Sequence, residues 1–382
     1  MVQLLIDYAN KNNIILELNE KNQYGNYPFL WACSNNNIEI VHLLIYYANN
    51  KNMIFELNEK DQYGNYSLLK ACDRNNIEMV KLLIDYANKN NIILELNEKS
   101  SNGYYPLLFT CLRNNIEMVQ LLINYANKNN IILELNEKNK NGSYPLLWAC
   151  DNNNIEMIQL LIDYANKNNI ILELNEKGWY GVYPLLLAYD NNSIKMVQLL
   201  IDYANKNNII LELNKKSSKG YYPLLFCCYR NNIEMVQLLI DYANKNNIIL
   251  KLNEKGPYGN YPLLRSCNNN NIEMVQLLID YADKNKILLK LNEKNKNGDY
   301  PILLSCNKNN IEIIHLLMNF ADKNNIILEL NEKNQVGNYP LLFTCLRNNI
   351  KMVQLLINYA NKNNINLELN ENKWKLSTFT SL

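Results

Sequence analysis

Reactive side chains are scarce in this sequence, and their spacing argues against a shared reaction centre. Two histidines occur, His42 and His315, whereas a general acid–base pair or a metal site needs such groups in one pocket. Nine cysteines are present, but no CxxC or Cys/His spacing gathers them into a zinc site. Carboxylates such as Glu156 and Asp163 recur from interval to interval, as surface decoration does and a unique catalytic pair does not. The eleven glycines form no phosphate-binding loop. With no nucleophile beside a base, the residues read as non-catalytic, with no cofactor and no metal.

The interval itself is the strongest signal. Gly25, Gly64, Gly103, Gly142, Gly181, Gly220, Gly259, Gly298 and Gly337 each stand two residues before a Tyr-Pro or Tyr-Ser step, always 39 residues apart. A fixed period in this range marks a stacked repeat array. Nine full repeats span 25–375, and residues 1–24 read as the back part of another, with Met1 at the position of Met157. Residues 376–382 leave the pattern as a C-terminal tail, after Lys373 and Lys375 and including Thr378. In a stiff array the histidines, seven repeats apart, cannot meet. Eight cysteines share one column: Cys33, Cys72, Cys111, Cys150, Cys228, Cys267, Cys306 and Cys345, with Tyr189 in the remaining slot. Equivalent positions on neighbouring helices lie roughly 8–10 Å apart, beyond the roughly 7 Å Cα limit for a disulfide. The column therefore reads as buried thiols filling a core, in a reducing compartment.

A net charge of +1 provides no broad field for nucleic acid or an anionic membrane. Apolar runs such as "NNIILELN" are too short to span a bilayer, and no signal-peptide pattern opens the chain. The expected setting is the cytoplasm or nucleus.

The repeat "GSYPLLWACDNNNIEMIQLLIDYANKNNIILELNEKGWY" (142–180) shows what positions its side chains. Pro145 suits a first helical turn, lacking an N–H that would go unpaired there. A short helix "PLLWAC" follows. "DNNN" ends it, because asparagine tolerates the left-handed conformation. Asn154, or Ser193 in the next repeat, caps a second helix. In "IEMIQLLIDYA", Glu156, Gln159 and Asp163 make one polar stripe and the rest is apolar, so neighbours must cover two sides. "NKNN" stops that helix, and "IILELNEK" reads as an extended, β-capable arm leading to the next turn.

The order of turn, Pro-started helix, asparagine loop, apolar helix and arm resembles the ankyrin-repeat family. Gly142, Tyr144-Pro145-Leu146, Ala149-Cys150, "NNIEMIQLLIDYA" and "ELNEK" carry the resemblance. It implies an all-α repeat solenoid of helix-turn-helix units joined by arms and β-turns. Tyr stands where the family has a capping Thr, and Asn-Asn where it has Gly-His. The repeat exceeds the usual length of about 33 residues, with the surplus around "KNNIIL", expected as a longer second helix or outer loop. HEAT-like helix pairs are the structural alternative. Tetratricopeptide arrays fail on motif and period.

The copies differ mainly in the turns and around the first helix. Three residues after Pro (or its Ser67 counterpart) stand Trp31, Lys70, Phe109, Trp148, Leu187, Phe226, Arg265, Leu304 and Phe343. Four further on, all the other arginines appear: Arg74, Arg113, Arg230 and Arg347. Turn tips carry Tyr24, Tyr63, Trp179, Tyr180 and Tyr258. Trp, Tyr and Arg dominate binding energy at protein interfaces, and the resemblance implies a concave face built from turns and first helices. The aromatic column reads either as core, with Lys70 and Arg265 snorkelling at its edge, or as a binding surface. The arginines and turn tips read as partner-binding. The functional expectation is a monomeric scaffold that binds a protein or peptide carrying acidic segments. The alternative is a targeting fragment of a larger protein whose catalytic or membrane domain lies outside this chain.

Overall fold

A computed structural model describes residues 1–368; the tail positions 376–382, with Lys373 and Lys375, lie outside them. Among the described residues there are nineteen α-helices and no strand. The chain divides into two compact parts, Met1–Leu211 and Glu212–Leu382. Each is an all-α repeat solenoid of alternating short and long helices.

Within Met1–Leu211, the short helix Pro145–Asp151 starts with Pro at its first turn, preceded by Tyr144 in extended backbone. Asn153 then takes φ 52°, and its counterparts in the other repeats do the same. The long helix Ile155–Lys167 begins where the Asn154 side chain accepts the Met157 N–H at 2.9 Å. Such a cap contributes about 0.5–2 kcal/mol. In the next repeat Ser193 occupies this position without a side-chain cap bond to Ile194–Lys206, contrary to the sequence expectation. Asn154 also reaches back: its Nδ2 donates to Asn114 Oδ1 at 2.6 Å, a tie repeated by Asn115 and Asn75.

Long helices bury Met157, Ile158, Leu161, Ile162, Tyr164 and Ala165 against neighbouring repeats. Each large aliphatic contributes about 1.5–3 kcal/mol when fully covered. Short helices pack on short helices and long on long, giving two layers.

The arm is where expectation and structure part. It forms no strand. Neighbouring arms are a helix spacing apart, roughly 8–10 Å, while strands pair at about 4.8 Å. An asparagine side chain spans the difference. Asn136 Nδ2 donates to Ile171 O at 2.7 Å, and Glu173 N–H donates to Asn136 Oδ1 at 3.2 Å. Lys138 and Glu176 pair beside it at 2.5 Å, an exposed bridge of the kind that contributes about 0.2–1 kcal/mol.

Tyrosines complete the joints. Tyr164 hydroxyl accepts the Leu133 N–H at 3.0 Å, and in Glu212–Leu382 Tyr281 accepts that of Leu250 at 3.1 Å. Phe320 fills the equivalent slot, buried and without a hydroxyl for Leu289. The change Phe320→Tyr is expected to stabilise the protein by about 1 kcal/mol through one added hydrogen bond. A urea midpoint equal to or below that of the parent would refute this.

Candidate functional site

Turns and short helices share one surface in each part, because turn side chains lie directly on helix side chains. In Met1–Leu211, the Trp148 ring stacks on Trp179 at 4.3 Å and Phe109 on Tyr104 at 4.5 Å. Trp148, Trp179, Phe109 and Lys70 are half-buried, and the Trp148 Nε1–H has no partner among the described atoms. Trp31 is 58 % exposed and Tyr63 60 %. Tyr180 projects from a tight turn at φ 52°, 68 % exposed.

In Glu212–Leu382, Phe226 stacks on Tyr221 at 4.6 Å, with Tyr229 edge-on to Tyr221 at 5.8 Å. Arg265, half-buried, lays its guanidinium over the Tyr229 ring at 4.4 Å. The Tyr229 hydroxyl accepts Asn260 Nδ2 at 2.9 Å. Tyr258 repeats the exposed turn geometry at φ 57° and is 69 % exposed. Phe343 is half-buried, and Arg230 and Arg347 are exposed.

The aromatic column is thus neither all core nor all surface. Leu187 and Leu304 are buried, Trp31 is exposed, and the rings between are half covered by a turn residue. The arginine column carries a second duty. Arg74 Nε donates to Ser34 O at 2.9 Å, and Arg113 donates to Asp73 O at 2.8 Å and pairs with its carboxylate at 2.9 Å. Asparagines in the same column do likewise, Asn152 to Cys111 O and Asn191 to Cys150 O. These donors meet carbonyls at the end of the preceding short helix, where intrahelical partners run out. Arg347 reaches Asn307 Oδ1 at 3.3 Å. Tyr104, Tyr221 and Tyr229 were absent from the expected site. Their signal was available, since the residue after each turn glycine (Tyr104, Tyr221) and the residue six after Pro (Tyr229) both vary from repeat to repeat.

Chemistry is poorly served here. Burial pushes the thiols of Cys33, Cys228 and Cys267 up to about 12, leaving them protonated and inert at neutral pH. Among the described residues no group of three His, Cys, Asp or Glu is placed to hold a metal ion. No described helix is long and apolar enough to cross a membrane.

A family model of three consecutive ankyrin repeats matches residues 1–93, 50–132, 88–170, 130–210 and 185–287. The chain belongs to the ankyrin-repeat family. Ankyrin repeats are generally protein–protein interaction modules, and the family is typically non-catalytic. Among solved structures, the array is similar to the ankyrin repeat domain of Bcl-3, described as a unique member of the IkappaB protein family. That match has 19 % identity and a TM-score of 0.46, and covers 66 % of this chain and 98 % of that one. No curated protein matches the ankyrin array at a significant level.

Proposed function

We propose that this ankyrin array is a non-catalytic scaffold that binds other proteins through its turn tips and short helices, as a monomer. The supporting observation is the exposure of Tyr63, Tyr180 and Tyr258 on rigid turns. Each is exposed on a turn closed by a backbone hydrogen bond, Gly64 N–H to Asp61 O, Gly181 N–H to Gly178 O and Gly259 N–H to Gly256 O. Such groups lose little entropy on binding, and tyrosine is among the residues that concentrate interface energy. Arg265 and Arg347 at the short helices of Glu212–Leu382 suit a partner segment that presents acidic residues.

The test compares the full chain with a Tyr63→Ala, Tyr180→Ala, Tyr258→Ala variant. A partner retained by the immobilised chain is identified, and its affinity for both proteins is measured. Loss of roughly 100-fold or more is expected if two of the three act as anchors. The thermal midpoint should hardly move, since exposed side chains away from buried features change stability within about 0.5 kcal/mol. Undiminished affinity in the folded variant would overturn the proposal.

A further inference from the structure

We infer that the turn and short-helix face of Glu212–Leu382 is the site for an extended acidic protein segment, and that the corresponding face of Met1–Leu211 is not. This rests on the binding role proposed above and assigns it a charge specificity and a location.

The two faces carry different charge. In Glu212–Leu382, Arg265, Lys296, Lys308 and Arg347 lie on turns or short helices, and all but Arg265 are exposed. The carboxylate among the matching positions is Asp299, whose Oδ1 accepts Asn334 Nδ2 at 2.9 Å. The arm carboxylates Glu254, Glu293 and Glu332 are neutralised by Lys216, Lys255 and Lys294 at 2.5–2.6 Å. In Met1–Leu211 the same positions hold Lys70, Arg74, Arg113 and Lys140. They are balanced by Asp61, Asp73, Asp151 and Asp190, and Arg113 already pairs with Asp73.

The cationic face is continuous within its part. Lys296 N–H donates to Tyr258 O at 2.9 Å and Gln335 Nε2 to Lys296 O at 2.6 Å, so successive turns are joined. Arg265 over Tyr229 joins successive short helices. Each of three successive repeats contributes at least one cation, Arg265 and Lys296, then Lys308, then Arg347. Repeats roughly 8–10 Å apart match about every third residue of an extended chain at about 3.3 Å per residue. A peptide with an acidic residue at that interval meets a cation in each repeat, with Tyr221, Tyr229 and Tyr258 between.

The occupant is a short protein segment and not a nucleic acid. Net charge is +1, so the excess on this face is offset by carboxylates elsewhere in the chain. A polyanion extending past the face would meet that compensating negative potential.

The probe is a fluorescein-labelled twelve-residue peptide with glutamate at every third position and serine or tyrosine between, read by anisotropy with the full chain. Binding is expected, and Lys296→Glu with Lys308→Glu should weaken it by about ten-fold or more and flatten its salt dependence, whereas Lys140→Glu should change it by less than about two-fold. Equal affinity for the glutamine version of the peptide would overturn the inference. So would equal weakening by Lys140→Glu, tighter binding of a labelled single-stranded oligonucleotide, or no binding of the acidic peptide. The tyrosine variant, assayed on a captured partner, reports separately on the general binding role.

Discussion

Truncation of Tyr144 to alanine is expected to destabilise its repeat by about 3–5 kcal/mol, the range for losing a large buried aromatic group. Tyr144 is fully buried at the entrance to the short helix Pro145–Asp151. Its side chain makes no helix cap. Instead the hydroxyl lies 3.2 Å from Glu173 O and 2.9 Å from Glu176 O, in the arm of the same repeat. One ring therefore fills the core while its hydroxyl anchors an arm that has no strand to hold it. Tyr144→Phe separates the two roles. It keeps the ring and removes the donor to both arm carbonyls, at a cost of about 0.5–1.5 kcal/mol. Repeat arrays unfold with nearest-neighbour coupling, so amide hydrogen exchange across 142–180 is the suitable readout. Exchange in Tyr144→Phe matching the parent would show that the hydroxyl does not hold the arm.

Gly103→Ala is expected to cost about 2–4 kcal/mol, where a left-handed residue with a Cβ alone costs about 1–2 kcal/mol. Gly103 has φ +80°, and a Cβ there would lie 2.8 Å from Asn139 Cα and 3.2 Å from Lys140 N, the backbone of the next turn. That turn is fixed by Lys140 N–H donating to Asn102 O at 3.0 Å. Gly220 is the internal control. Its φ is +85°, but the nearest atoms to a Cβ are at 3.8 Å, so Gly220→Ala should show the conformational cost without the clash. Chemical denaturation of both variants distinguishes the contributions. Equal losses would mean that close approach of the turns contributes nothing.

Much of the architecture was legible before any coordinates. Each turn glycine that a Cβ would bring against the next turn recurs at one interval, and stacking demands that regularity. Asn153 and Asn154 announced a helix break and a cap, and both occur. The cysteine column announced a buried thiol row, and seven of its eight members are buried, with Cys345 half-buried. These features are local or periodic, so a linear pattern contains them. Other features were illegible for a physical reason. "IILELNEK" has strand-like alternation, but alternation says nothing of the distance to the next arm, and that distance excludes backbone pairing. Arg74 and Arg113 look like free cations in the chain, yet the end of the preceding short helix offers carbonyls that engage them.

The sequence by itself determined the repeat, its helices and caps, the apolar faces that must be covered, and the family. Those follow from the conformational preferences of single residues and from a period. Only the tertiary structure decided which variable side chains lie together. It stacks Trp148 on Trp179 and Tyr221 on Phe226, and places Arg265 over Tyr229. Such proximity depends on how far apart neighbouring repeats sit and how each turn folds onto its helix, and neither quantity is encoded in the order of residues within one repeat.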